Sequence, residues 1–401
     1  MKRIPSATQI TSAELRVRLI IAEANTSIGG NQSGCFTFKK IRAGAPLLIV
    51  LFSMLLLLPS CITDKELYQS AADGKELPGW RILSKAREKF GPYVQWKESL
   101  IRELIDGSRI MHTRVGPVEY AINGESGPYL MVMHGGPGGY DQTAALFGDM
   151  LGKGFRILSW SRPGYLRTPI EDGKTFEEQA DVAAALMDGL GVEKAAVLGY
   201  SAGGPVAVYF AAKYPEHVWS LILECAVTQH WDISPENIQE KIYFGYLMYN
   251  DPFLWASDVV GRISPRLIGM STIEMESSLD KDTAKKLMDD IMKDPRRVKV
   301  LTGMMKSMSP SDLRRDGMEN DVKQLKKVKD LPLKKIKAPT LIIHGTDDAD
   351  VPVADAALAA NTIPHAELYL VHGGFHVMAL TDKIDEITNK RIMFLKEHAP
   401  Q

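Results

Sequence analysis

Cysteine is almost missing: Cys35, Cys61 and Cys225 are the only three in 401 residues. A disulfide framework of the kind that staples small secreted domains is therefore excluded. If the chain is cut before Cys61, only Cys225 stays unmodified, inside an apolar run where it suits core packing. An excess of charge is missing too. With 48 Lys and Arg against 49 Asp and Glu, the chain lacks the basic footprint that nucleic-acid binding requires. No G-x-G-x-x-G opens the first helical stretch and no H-E-x-x-H occurs, so neither a dinucleotide cofactor nor a metal is expected. The longest apolar run, Leu47 to Leu58, is interrupted by Ser53 and is twelve residues long, short of the roughly 20 that span a bilayer.

That run follows Lys39, Lys40 and Arg42 and ends in "LPSC", which fits the apolar region of a secretory signal. The four residues resemble a bacterial lipobox, with Leu58, Ser60 and then Cys61 as the residue that would carry lipid. Residues 1–60 are accordingly expected to be a lipoprotein-type leader. The mature chain would then be an exported cell-envelope protein tethered to a membrane through Cys61. Residues 61–106 are charged and helix-prone, with a break expected at Gly91-Pro92, and read as a tether followed by a helical segment.

From 108 the period changes. "SRIMHT" and "VEYAING" predict a hairpin. Apolar runs at 128–134, 155–161, 194–200, 220–227, 339–345 and 366–373 then alternate with helical patterns at 175–191, 205–215, 354–363 and 383–399. Continuous apolar strands separated by helices predict a mostly parallel sheet flanked by helices. No strand pattern occurs from 228 to 338. That stretch carries helical patterns broken at Pro235, Pro252, Pro265, Pro295 and Pro310, and nine of the eighteen methionines. The expected organisation is a core in two parts, 107–227 and 339–401, with a helical insertion at 228–338 whose Met-rich underside is either helix filler or an adaptable cover over a pocket.

The chemistry-bearing residues cluster at the ends of these strands. Gly199-Tyr200-Ser201-Ala202-Gly203 is G-x-S-x-G between a predicted strand and a predicted helix, the context in which a serine is presented on a strained turn as a nucleophile. "MHGGPGGYD" at 133–141 follows the first parallel strand. Its glycines let backbone approach a substrate carbonyl, so the amides of Gly136 and Ala202 are the expected oxyanion donors. "LIIHGTDDADVPV" places acids just beyond one strand and "YLVHGGFHVMAL" places histidines just beyond the next. A serine needs a base, and the base needs a carboxylate to fix its tautomer. His372 and His376 are spaced i, i+4, but a strand-to-loop context argues against a metal site.

From about 108 to 399 the sequence resembles the α/β-hydrolase superfamily with a helical cap after the sixth strand. "HGGPGG", and Arg162-Pro163-Gly164-Tyr165-Leu166-Arg167-Thr168 in place of R-P-G-x-G-x-S, are similar to the proline iminopeptidase-like branch. The resemblance implies the order Ser, Asp, His. It maps the acid to Asp348, with Asp347 and Asp350 as runners-up and Glu224 as a remote alternative, and the base to His376, with His372 behind it. Departures bear on substrate: Tyr200 and Ala202 stand where those peptidases carry Gly and Trp, and Leu166 replaces a glycine. An amine pocket would need cap acids, for which Glu274, Glu276 and Asp280 are available. The expected activity is therefore hydrolysis of a small carboxylic ester or amide by a Ser201–Asp348–His376 triad. An iminopeptidase-like aminopeptidase is the alternative, and a non-catalytic tethered binding protein the alternative of another class. An ordinary imidazole as base predicts activity that falls below about pH 6 to 7.

Overall fold

Residues 80–231 and 250–400 are described by the computed structural model. The leader, Cys35, Cys61, the tether to residue 79 and Pro235 lie outside the described residues. No described helix is long and apolar enough to cross a membrane.

Eight strands form one sheet in the order β1-β2-β4-β3-β5-β6-β7-β8. The hairpin is β1 (Arg109–Thr113) and β2 (Gly116–Asn123), antiparallel to each other; β2 also pairs antiparallel with β4 (Arg156–Trp160). The remaining strands, β3 (Tyr129–Met133), β5 (Ala195–Tyr200), β6 (Val218–Glu224), β7 (Thr340–Gly345) and β8 (Ala366–Val371), run parallel to their neighbours. Strands β5, β6 and β7 are buried along their whole length, which is why their sequences read as unbroken apolar runs. Alternation still sorts their side chains. Met131, Met133, Val197 and Ile342 join one core, and Leu130, Val132, Leu198 and Ile343 join the other, one on each face of the sheet.

The helices follow the pattern with two exceptions. Helix α1 (Trp80–Asp106) runs straight through Gly91-Pro92, so the break expected there does not occur. A proline forfeits one backbone bond, whereas Val94, Leu100, Ile101 and Leu104 bury a continuous stripe that is worth more. Helix α2 (Tyr140–Leu146) directly follows the Gly-rich loop and is too short for its periodicity to register. Helix α3 (Phe176–Leu190) starts at a capping box of Thr175 and Glu178 and ends at Gly191 in the left-handed region, as its sequence predicts. Helix α4 (Gly204–Lys213) follows β5, α10 (Val353–Thr362) follows β7, and α11 (Ile384–His398) closes the chain.

Between β6 and β7 the described residues form only helices: α5 (Asp251–Ile263), α6 (Pro265–Glu276), α7 (Lys281–Ile291), α8 (Pro295–Lys306), α9 (Arg315–Leu325) and short 3-10 turns. Pro252, Pro265 and Pro295 occupy first turns, where a missing N–H costs nothing. Leu166, standing where the resembled family has glycine, has φ 50°. Its side chain is buried with Ile101, Leu104, Tyr140 and Leu313, and that burial offsets the strain.

Candidate active site

Strand β5 ends at Tyr200, and Ser201 turns the chain with φ 51° before α4 begins. A non-glycine residue in this region is strained by about 1 kcal/mol or more. The small neighbours explain why the turn closes nevertheless. A Cβ on Gly203 would lie 2.1 Å from the carbonyl oxygen of Met133, and one on Gly199 would lie 2.6 Å from the Cβ of Ala207. Only glycine lets β5 and α4 pack this closely around a serine lifted above the sheet.

Across from Ser201 runs the loop from His134 to Gly139. A Cβ on Gly135 would sit 3.0 Å from Ser201 Cβ, so backbone and serine are in contact. The Gly135 amide donates to Gln142 Oε1 at 2.9 Å. The amides of Gly136 and Ala202 donate no hydrogen bond among the described residues. The loop is held at both ends. Arg162 donates from its backbone N to His134 Nε2 at 3.0 Å and from Nε to the His134 carbonyl at 2.9 Å. Its guanidinium pairs with Asp321 of α9, through Nη1 at 2.8 Å and through Nη2, and Tyr165 OH donates to the same carboxylate. At the far end Arg314 donates to the Gly138 carbonyl at 2.6 Å and to both oxygens of Asp141. Burial and the neighbouring Arg162 push His134 well below its ordinary pKa, so it stays neutral.

Asp348 lies three residues past the end of β7 and His376 five past the end of β8. His376 Nδ1 is 3.0 Å from Asp348 Oδ2 and 3.2 Å from Oδ1, and Oδ1 accepts the amides of Asp350 and Val351. Burial works against the Asp348 carboxylate, but the imidazole and the Val351 amide hold its pKa below the ordinary value. Asp347, Glu224 and His372 stand elsewhere. Asp347 accepts from Thr346 Oγ1 at 2.7 Å, His372 is exposed, and Glu224 is paired with Arg391 at 2.6 Å.

Ser201, Ala202, Gly136 and His376 line one cavity of about 100 Å³. Ser201 Oγ makes no hydrogen bond among the described residues. His376 Nε2 lies instead 3.3 Å from Asp350 Oδ2, and Glu276 at the end of α6 brings a third carboxylate within 4.8 Å. Burial alone would depress the imidazole, yet Asp348, Asp350 and Glu276 outweigh it and raise His376 to about 10. Burial and Asp350 push Glu276 up to about 7. The ordinary imidazole expected from the sequence is thus replaced by one surrounded by negative charge, which moves its titration to higher pH. Five of the insertion's methionines, Met275, Met304, Met305, Met308 and Met318, also line this cavity.

Residues 128–383 match the family described as the alpha/beta hydrolase fold. The chain belongs to this family. Among the relatives of this α/β-hydrolase is an uncharacterized hydrolase, YcgS, of Bacillus subtilis, 29% identical over 70% of this chain and 95% of that protein. A 2-hydroxy-6-oxononadienedioate/2-hydroxy-6-oxononatrienedioate hydrolase of Burkholderia vietnamiensis is 27% identical over 63% and 82%. An α/β-hydrolase fold protein from Nakamurella multipartita superposes with a TM-score of 0.68 at 31% identity, covering 72% of this chain and 99% of its own. The chain is a hydrolase. What the sequence of this α/β-hydrolase left open was how Asp350 and Glu276 stand to the imidazole. Asp350 is legible only as a spare acid and Glu276 only as an unplaced one, because their proximity depends on how α6 docks.

Proposed function

We propose that the chain is a serine hydrolase that cleaves a small carboxylic ester or amide by acyl transfer. The observation that carries this reading is the opposition, across one cavity, of a serine held at φ 51° and a histidine whose Nδ1 is held by a buried carboxylate. In the proposed reaction His376 Nε2 takes the Ser201 proton while Oγ bonds to the substrate carbonyl carbon, and the amides of Gly136 and Ala202 receive the oxyanion. The imidazolium returns its proton to the departing alcohol or amine as that bond breaks. Water then repeats the sequence on the acyl-enzyme and frees the acid and the serine. Asp348 keeps Nδ1 protonated and stabilises the imidazolium, and the described helices α5 to α9 form the cap over the site. A fluorophosphonate probe tests this: it should label the wild type and not Ser201→Ala, and an unlabelled wild type would return the chain to a binding role on a hydrolase scaffold.

Glu276 and Asp350 favour a second reading, an aminopeptidase. Neither carboxylate has a cationic partner other than His376 among the described residues. A substrate ammonium beside the scissile carbonyl would take the place of the imidazole's own proton as their counter-charge, leaving a neutral base. Comparing p-nitrophenyl acetate with a proline arylamide separates the two readings. From the sequence alone we also propose lipid attachment at Cys61, for which mass spectrometry of the mature N-terminal peptide is the test.

A further inference from the structure

The cavity that holds Ser201 is about 100 Å³, well below the roughly 300–1,000 Å³ of small-molecule sites. Beside it lies a second cavity of about 870 Å³, within the range of small-molecule sites. Two side chains, Leu146 of α2 and Met305 of α8, line both and form the partition between them. Leu146 is buried, whereas Met305 is half-buried and unbranched, free to change rotamer with little penalty.

Part of the wall of the larger cavity is apolar. Ala144 and Leu146 come from α2, Ile268 from α6, Val300 from α8, and Leu100 and Leu104 from α1. The charged residues on the wall are neutralised by one another or by neighbours: Arg262 by Asp258, Arg296 by Asp385, Lys306 by Glu103, Asp149 by Arg391 and Asp141 by Arg314. Arg297 faces Asp294, and the exception, Lys299, points to solvent. A charged occupant would find no free counter-charge in the interior, and an apolar one would replace water there. Helix α1 lies outside the matched segment 128–383. It is fixed in place by Tyr140 OH, which donates to the Leu104 carbonyl at 2.7 Å.

We infer that the larger cavity receives an apolar acyl chain that extends from the carbonyl at Ser201 past Met305, so that esters of medium-length fatty acids are preferred over acetate. The inference rests on the serine-hydrolase reading and names its substrate class. Each methylene that enters should raise kcat/KM by up to about fourfold, with the gain appearing once the chain is long enough to pass Met305.

The test is a series of p-nitrophenyl esters from acetate to decanoate, with the full chain and with Ala144→Trp and Ala144→Phe. Ala144 is exposed and lines the larger cavity but not the smaller, so acetate turnover should persist in both variants and reports that they are folded. Decanoate turnover should fall at least tenfold in Ala144→Trp, less in Ala144→Phe, mainly through KM. Acetate turnover with no gain along the series, or a series unchanged in both variants, overturns the inference and leaves the hydrolase reading standing. Absence of turnover together with absence of fluorophosphonate labelling overturns both.

Discussion

Replacing Asp350 by asparagine removes one negative charge and almost no volume from the point where the site departs most from an ordinary triad. Asp350 Oδ2 is 3.3 Å from His376 Nε2. At an effective dielectric of about 20 the pair is worth about 5 kcal/mol. That is an upper bound, because the Asp350 side chain is 29% exposed and water screens it. A quarter to a half of it, roughly 1.3 to 2.5 kcal/mol, corresponds to a fall of about 1 to 2 units in the imidazole pKa, from about 10. In the proposed mechanism His376 is the base and works only when neutral, so activity should grow as pH rises through that pKa. The acid limb of kcat/KM for a neutral ester should therefore move about 1 to 2 units toward acid in Asp350→Asn, and kcat/KM near pH 7.5 should increase about 10- to 100-fold. Initial rates on p-nitrophenyl acetate between pH 5.5 and 10.5, corrected for spontaneous hydrolysis, measure it. A limb that stays within about 0.3 unit of the wild type would refute the electrostatic reasoning. Under the aminopeptidase reading the same variant should lose activity on a proline arylamide, because an ammonium would lose half of its counter-charge.

Three further outcomes follow from the packing. Gly203→Ala would place a Cβ 2.1 Å from the Met133 carbonyl oxygen and 2.6 Å from that of His134, both backbone, so a loss of about 3 kcal/mol or more in urea unfolding is expected, and a loss under about 1 kcal/mol would mean the elbow is looser than described. Asp321→Ala strands the buried guanidinium of Arg162 and should cost about 3–5 kcal/mol, with Asp321→Asn costing less; equal and small losses would show the pair to be dispensable. Amide hydrogens of α9 should exchange nearly as slowly as those of β5 without substrate, and exchange faster by several orders of magnitude would mean that this helix swings free.

The core was legible because its signals are local. Apolar runs such as "KAAVLGY" bury both faces of a strand, the capping box at Thr175 fixes where α3 starts, and Gly199 and Gly203 frame the serine of the elbow. Gly91-Pro92 misled because propensity is weaker than the stripe of Val94, Leu100, Ile101 and Leu104 that α1 buries. The electrostatics of the base were not legible at all. Glu276 is about a hundred residues before His376, and only the docking of α6 makes one carboxylate of many relevant to one imidazole. The same holds for Asp321, the buried partner of Arg162, which no sequence signal singles out.

Those long-range contacts also bear on how a substrate would enter. The Glu276 carbonyl accepts the amides of Ala349 and His376 at 3.3 and 3.4 Å, and Ser278 N donates to the Asp347 carbonyl at 2.9 Å. With the bridge between Ser277 and Asp348, the end of α6 is joined by backbone to the loop that carries the acid. On the opposite flank Arg162–Asp321 and Arg314–Asp141 tie α9 and the turn before it to the Gly-rich loop. Swinging the helical insertion away as one body would break all of these, and breaking a buried pair costs about 3–5 kcal/mol. It would also carry Glu276 away from the imidazole, so opening and the charge state of the base would change together. The parts of the cavity wall that can yield at less expense are the methionines, whose unbranched side chains repack without moving backbone. Rotation of Met305 and its neighbours would leave all of these tethers, and the carboxylates around His376, in place.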